Sequence, residues 1–276
     1  MNFYQNLKNC AVSGTTLKTL SANYNAVSLF SGCGGLDLGA KLSGIDVIFA
    51  TDKMNDAGKT LAKYMNDAEI VHSDIQQIKL FPQCDILIGG YPCQSFSMGG
   101  RRKPGSDERS ELYQEYARAL QSVSPKFFVA ENVVGLKQVA GGKFLQEQIE
   151  VFSKSGSHGY NISWAILNAA DYGVPQRRKR LFIVGVRKDL GLKYNFPSPT
   201  HGKANGLLPY TSHGEVIKDL PLWPEGEFYE RPHDPTGHMS WYYMSRNRKK
   251  NWDEPAYTVV ANWRHITIHP ASAKMT

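Results

Sequence analysis

Apolar and polar positions alternate in short blocks over the first two thirds of the chain, with the lengths of strands and helices taken in turn. Residues 26–30 form an apolar run that stops at Ser31-Gly32-Cys33-Gly34-Gly35, and helical spacing follows over 36–42. A second strand is expected at 46–51 and a helix at 55–66. Residues 85–88 read as a buried strand closed by Gly89-Gly90. Then come a helix at 111–122, a strand at 127–130, a helix at 143–153, and strands at 162–167 and 181–186. Parallel neighbours need a crossover between them, so this order predicts an α/β fold with a doubly wound, mostly parallel, Rossmann-like sheet. After about residue 187 the pattern gives out. Prolines and glycines crowd in, while Trp and Tyr stay frequent, which predicts a smaller irregular region rather than disorder. The expected organisation is an N-terminal extension at 1–25, an α/β domain at 26–190 and a loop-rich region at 191–276.

Charge adds a candidate partner. The formal net charge of +7 fits a polyanion. The basic residues cluster as Arg101-Arg102-Lys103, as Arg177-Arg178-Lys179-Arg180, and as Arg246, Arg248, Lys249 and Lys250 near Trp241, Tyr242, Tyr243 and Trp252. These read either as solvated loops or as stretches that contact phosphates. No apolar run reaches the ~18 residues of a membrane span, and residues 1–27 lack an apolar signal core, so a cytosolic protein is expected. Cys10, Cys33, Cys84 and Cys93 form no CxxC pair, so no metal site is expected.

Three segments carry candidate chemistry. Phe30-Ser31-Gly32-Cys33-Gly34-Gly35 joins a strand to a helix. Glycines there allow a tight turn and let a ligand approach the backbone, and the helix N-terminus adds N–H groups. Asp52 ends the next strand, where a carboxylate can accept ribose hydroxyls, and Asp74 follows the second helix, placed for an adenine amino group. This turn fits NAD, S-adenosylmethionine or no ligand at all. Gly89-Gly90-Tyr91-Pro92-Cys93-Gln94-Ser95-Phe96-Ser97 follows a buried strand, and open α/β sheets bind ligands at C-terminal strand ends. A lone cysteine is commonly a small buried hydrophobe. Cys93 differs by its company: Pro92 stiffens the approach, and a polar loop at 98–110 is long enough to act as a lid. Glu131, in Phe128-Val129-Ala130-Glu131-Asn132-Val133, puts a carboxylate at the same edge and suggests a nucleophile with an acid. Gln176-Arg177-Arg178-Lys179-Arg180 leads into the last strand. Positive charge near Cys93 favours its thiolate, and an arginine can hold a flipped base through its carbonyl oxygen.

Taken in order, these motifs, together with Asn168-Ala169-Ala170-Asp171-Tyr172-Gly173-Val174-Pro175, resemble the cytosine-C5 DNA methyltransferases, especially the bacterial restriction–modification enzymes. The resemblance covers about residues 26–187. Met244-Ser245-Arg246-Asn247-Arg248 and Glu254-Pro255-Ala256-Tyr257-Thr258-Val259 are similar to the target-recognition region of the subgroup that includes GGCC methylases. The resemblance implies a class I methyltransferase fold, S-adenosylmethionine as cofactor, no metal, and double-stranded DNA as partner. It implies that Cys93 attacks C6 of a flipped cytosine, Glu131 contacts N3 and the exocyclic amine, Arg180 contacts O2, and Arg178 helps to orient the site. Phe30, Gly32, Gly35, Asp52, Asp74, Ile75, Pro92 and Leu112 would line the cofactor pocket. Gln94, Ser97, Arg101, Arg246, Arg248 and Arg264 would contact DNA.

Three departures stand out. Asp52 replaces the family's usual Glu, and Lys53 stands where a large side chain often packs on adenine. The family's closing Gly-Asn-Ala-Val-Pro-like motif is missing before Ala273-Lys274-Met275-Thr276, and residues 1–25 hold no permuted copy. The expectation is a truncated form or one subunit of a split enzyme, served by a second polypeptide. A tRNA cytosine-C5 methyltransferase and a catalytically incomplete DNA-binding subunit are the alternatives. An NAD dehydrogenase explains neither Pro92-Cys93-Gln94 nor Glu131-Asn132-Val133.

Overall fold

The computed structural model of the protein describes residues 24–92, 112–219 and 250–258. Its strands are β1 (Asn25–Leu29), β2 (Asp46–Asp52), β3 (Glu69–His72), β4 (Ile86–Gly89), β5 (Phe127–Val133), β6 (Tyr160–Asn168), β7 (Gln176–Arg177), β8 (Lys179–Arg187) and β9 (Ala256–Tyr257). Its α-helices are α1 (Gly35–Leu42), α2 (Asn55–Ala62), α3 (Leu112–Val123), α4 (Lys143–Lys154) and α5 (His213–Ile217). The chain divides into two compact units, residues 1–165 with 181–195 and residues 166–180 with 196–276.

Seven strands form one sheet in the order β3-β2-β1-β4-β5-β8-β6. Strands β1 to β5 pair in parallel throughout. The chain winds outward from β1 to β2 and β3, returns to set β4 against the other side of β1, and then winds the opposite way to β5. That reversal opens a crevice at the C-terminal ends of β1 and β4, where such sheets bind ligands. All four residues of β4 are buried, as expected of a strand covered on both faces. β5 alternates, with Phe128, Ala130 and Asn132 turned inward. β3 has no counterpart in the hydrophobic pattern: Glu69 and His72 are exposed and Ile70 and Val71 only half-buried, so an edge strand of four residues leaves no apolar run.

An aromatic cluster fills the centre of this unit. Tyr116, Phe128, Phe152 and Tyr160 are almost wholly buried, and their rings meet mostly edge to face at 5.1–6.0 Å. Gly185 on β8 makes room for it, since a Cβ there would overlap the Phe128 ring. The Tyr116 hydroxyl lies 3.0 Å from the Leu87 carbonyl oxygen and 3.1 Å from that of Val129, so α3 is keyed to both β4 and β5. Burial pushes this phenol well above a tyrosine's ordinary range, which keeps it a donor.

The second unit is built from short pieces joined by backbone hydrogen bonds. β7 and β9 pair in parallel, with Gln176 opposite Ala256 and Arg177 opposite Tyr257. At the start of α5, His213 Nδ1 lies 2.5 Å from the Glu254 carbonyl oxygen, and the Gly214 N–H donates to that of Trp252. The hydrophobic pattern assigns residues 166–180 to the first domain, but they cluster with the second unit. Their bonds explain it: the Asp171 carbonyl accepts from the N–H groups of Thr200 and His201, and Pro175 accepts from that of Ala256.

Candidate active site

The strand register sets the site of the first unit. Leu29 is level with Thr51 on one side and with Gly89 on the other, and Gly89 is level with Ala130. One residue further on in each strand stand Phe30, Asp52, Gly90 and Glu131. Four of the expected functional segments therefore stand level at one edge of the sheet.

The turn after β1 is wound left-handed at Phe30 (φ 53°) and Gly32 (φ 55°), and Gly34 opens α1 at φ 85°. Only glycine adopts such values at low cost. Asp52 holds the turn from β2: its Oδ2 accepts from the Gly32 N–H at 2.8 Å and its Oδ1 from the Met54 N–H at 2.7 Å. A Cβ built on Gly32 or on Gly35 meets nothing within 4 Å, so the turn faces open space. Each Asp52 oxygen keeps acceptor capacity for a hydroxyl. An open glycine turn beside a carboxylate with spare lone pairs fits an adenosine-bearing cofactor. Asp74 caps the short 3₁₀ turn Ile75–Gln77, accepting from the Gln76 N–H, and it also binds the Lys53 ammonium at 2.6 Å. The hydrogen bond from Lys53 holds the Asp74 carboxyl below its ordinary range. Ile75 is buried beneath it.

Asp37, in the first turn of α1, is fully buried and neither carboxylate oxygen has a partner of hydrogen-bond geometry. Burial pushes this carboxyl above the usual range, offset only in part by the nearby Ser28 hydroxyl and the Asp37 N–H.

The β4 and β5 ends are tied together. A Cβ on Gly90 would lie 3.1 Å from Glu131 Oε2, so glycine leaves the space that the glutamate carboxylate fills. The buried Asn132 amide donates to the Tyr91 carbonyl at 3.1 Å, and its oxygen accepts from the Val133 N–H at 2.8 Å. The Tyr91 hydroxyl donates to Gln148 Oε1 of α4 at 2.5 Å. Tyr91 is thus gripped by backbone and by side chain one residue before Pro92. Leu112 opens α3 and is half-buried. Cys93, Gln94, Ser97 and Arg101 lie outside the described residues. Of the cysteines described, Cys33 is exposed, and burial pushes the Cys84 thiol up to about 12, which leaves it inert at neutral pH.

Sequence reasoning passed over Asn132 and Gln148. Both left a signal. Asn132 sits inside the motif quoted for Glu131, and Gln148 is the polar member of the Leu145, Gln148, Phe152 stripe on an otherwise apolar helix face.

In the second unit, Arg180 lines an open pocket of about 620 Å³ with Arg177, Lys179, Asp171, Tyr210 and Tyr257. Arg180 donates to the Lys179 carbonyl at 2.8 Å. Arg178 sits between β7 and β8, half-buried, and its N–H donates to the Gln176 carbonyl. The Tyr210 hydroxyl donates to Asp171 at 3.2 Å, and burial first, then the Asp171 charge, raises its pKa. Arg246, Arg248 and Arg264 lie outside the described residues.

Comparison with known proteins identifies the family. The sequence model of the C-5 cytosine-specific DNA methylase family matches residues 24–269. The chain is 39% identical over 280 residues to the type II methyltransferase M.BsuRI of Bacillus subtilis, covering 91% of this chain and 62% of that protein. It is 38% identical over 293 residues to M.BspRI of Lysinibacillus sphaericus, covering 96% and 66%. The chain therefore spans just under two thirds of the length of these curated relatives. Among solved structures, a DNA modification methyltransferase encoded within an E. coli prophage has a TM-score of 0.62 at 28% identity, over 75% of this chain and 57% of that one. The S. pombe Dnmt2 methyltransferase also reaches 0.62, at 16% identity over 89% and 74%, a likeness of fold alone. The sheet is that of the class I methyltransferases. With a family match along nearly all of its length, the chain belongs to the C-5 cytosine-specific DNA methylases.

Proposed function

We propose that the protein methylates C5 of cytosine in double-stranded DNA, with Cys93 as nucleophile and S-adenosylmethionine as methyl donor, in a bacterial restriction–modification system and hence beside DNA in the cytosol. The observation that carries this reading is the shared sheet edge, where the glycine turn, Asp52, the Tyr91-Pro92 segment and Glu131 emerge level with one another. Cys93 follows Pro92 directly in the chain. Cytosine C5 is hidden in a duplex, so the base is extruded before reaction. The Cys93 thiolate bonds to C6, and Glu131 supports the proton that N3 gains as electrons move into the ring. C5 is now nucleophilic. S-adenosylmethionine, when bound, supplies a methyl group from its sulfonium, with Gly32 and Gly35 at the turn, Asp52 toward the ribose and Asp74 toward the adenine. Loss of the C5 proton to a base then expels the Cys93 thiolate and restores the ring. The covalent bond divides one hard substitution into easier steps. In this reading Arg180 contacts O2 and Arg178 helps to orient the site.

The test is transfer of labelled methyl from S-adenosylmethionine into duplex DNA, with the modified base identified as 5-methylcytosine. Duplexes carrying GGCC come first, because residues 244–248 and 254–259 resemble that recognition subgroup. The assay is run with this chain alone and with the product of the adjacent reading frame, which tests for a second polypeptide. Label in DNA is the expected result. No label under either condition, or label in tRNA alone, overturns the reading.

A further inference from the structure

We propose that the pocket of the second unit is a seat for one backbone phosphate of a DNA strand, held by Arg177 and Lys179, with the adjoining nucleoside against Tyr257. This deepens the functional reading above and rests on it. The pocket's volume of about 620 Å³ suits a small polar group with its neighbours, within the ~300–1,000 Å³ of ligand clefts. Three cations line it, Arg177, Lys179 and Arg180, against the single carboxylate of Asp171. That carboxylate forms no ion pair with Arg177 or Lys179 among the described residues. Its Oδ1 accepts from two neutral donors, the Asn168 amide at 2.9 Å and the Tyr210 hydroxyl at 3.2 Å. Lys179 is exposed and makes no ion pair among the described residues. Arg177 is exposed too, its guanidinium 5.8 Å above the Tyr210 ring, a contact that orients the group without discharging it.

The β7–β9 bridge builds the seat. Arg177 and Tyr257 are register partners, and Thr258 locks the bridge by donating to the Arg177 carbonyl at 3.1 Å. Tyr257 stays 41% exposed, with the Lys250 ammonium 4.9 Å from its ring centre. An exposed aromatic ring beside unneutralised cations suits a sugar–base unit next to a phosphate. A phosphate is favoured over a base edge because Lys179 is a point charge without fork geometry. The roles given to Arg178 and Arg180 leave Arg177 and Lys179 unused, and this seat employs both.

The test is duplex binding by the full chain, followed by fluorescence anisotropy between 50 and 200 mM salt, for wild type, Arg177→Gln, Lys179→Gln and the double variant. Each lost phosphate contact lowers the slope of log affinity against log salt by about one, which removes about three- to fourfold of the salt dependence over that range. The expected loss is equal for target and scrambled duplexes, with S-adenosylmethionine affinity and thermal unfolding unchanged. Tyr257→Ala weakens binding while keeping the slope. A wild type that binds while Arg177→Gln and Lys179→Gln keep its slope overturns the seat and leaves the functional reading standing. A wild type that binds no duplex overturns both. Slope changes seen with RNA and not with duplex DNA overturn the assignment to DNA.

Discussion

Replacing Asn132 by Ala removes two hydrogen bonds at one buried position. The Tyr91 carbonyl loses its donor and the Val133 N–H loses its acceptor. Asn132 is 3% exposed, so water does not substitute freely on the Tyr91 side. Leaving that carbonyl unsatisfied costs about 1–3 kcal/mol, and the half-buried Val133 bond adds about 0.5–1.5 kcal/mol. The sum is about 1.5–4.5 kcal/mol. At about 2–4 °C per kcal/mol for a chain of this size, the Tm falls by about 3–18 °C. The functional effect follows from position. Tyr91 precedes Pro92 and Cys93, so freeing its carbonyl loosens the segment that leads to the proposed nucleophile, and a displacement near 1 Å costs about 100-fold in rate. Asn132→Asp keeps an acceptor for Val133 and loses the donor to Tyr91, so it loses at least as much activity as the alanine variant. Chemical denaturation gives the stability change, and single-turnover methyl transfer gives the rate. The reasoning is refuted if Asn132→Ala stays within about 0.5 kcal/mol of wild type, or if it loses stability while single-turnover transfer is unchanged.

Three further outcomes follow. Asp37→Asn stabilises the protein at pH 7–8: the folded carboxyl titrates above its ordinary 3.8, so its cost grows as pH rises from that value through the raised one, and the gain disappears below about pH 3.8, as a pH series of melts will read. Asp74, Asp85 and Asp189 are held below 3.8 chiefly by hydrogen bonds from Lys53, Lys126 and Arg187, so the stability they lend is complete above that value and is lost as pH falls through the lowered ones; an acid limb that flattens in Asp85→Asn checks this. Gly90→Ala crowds the Glu131 carboxylate at 3.1 Å, so the rate of transfer drops about tenfold or more while the melting temperature barely moves; equal losses in both contradict the assignment of that space to Glu131.

The sheet was readable because its central strands are short, mostly apolar runs, as at Asn25–Leu29 and Ile86–Gly89. Strands that end in polar residues were shortened: β5 continues through Glu131, Asn132 and Val133, and β8 begins at Lys179. Those polar ends carry the proposed site, so the hydrophobic pattern stops where the proposed chemistry begins. Lys53 shows a departure with a local consequence. It stands out in sequence as a misfit for adenine packing, and its ammonium bonds to Asp74, the residue expected to meet the adenine. The second-unit pocket left no sequence signal beyond its basic run. Tyr210 and Tyr257 come from segments about 30 and 80 residues beyond Arg177, and only the β7–β9 bridge and the Asp171 hydrogen bonds bring them to it.

The central claim, attack of Cys93 on cytosine C6, is tested most directly with a duplex carrying 5-fluorocytosine at the target position. Fluorine cannot leave as a cation, so the reaction halts after methyl transfer with the protein bound to DNA. The account predicts a denaturation-resistant complex on wild-type protein with S-adenosylmethionine, absent in Cys93→Ala and unaffected in Cys33→Ala. A complex that persists in Cys93→Ala, or none on a wild type that methylates ordinary duplex, contradicts it.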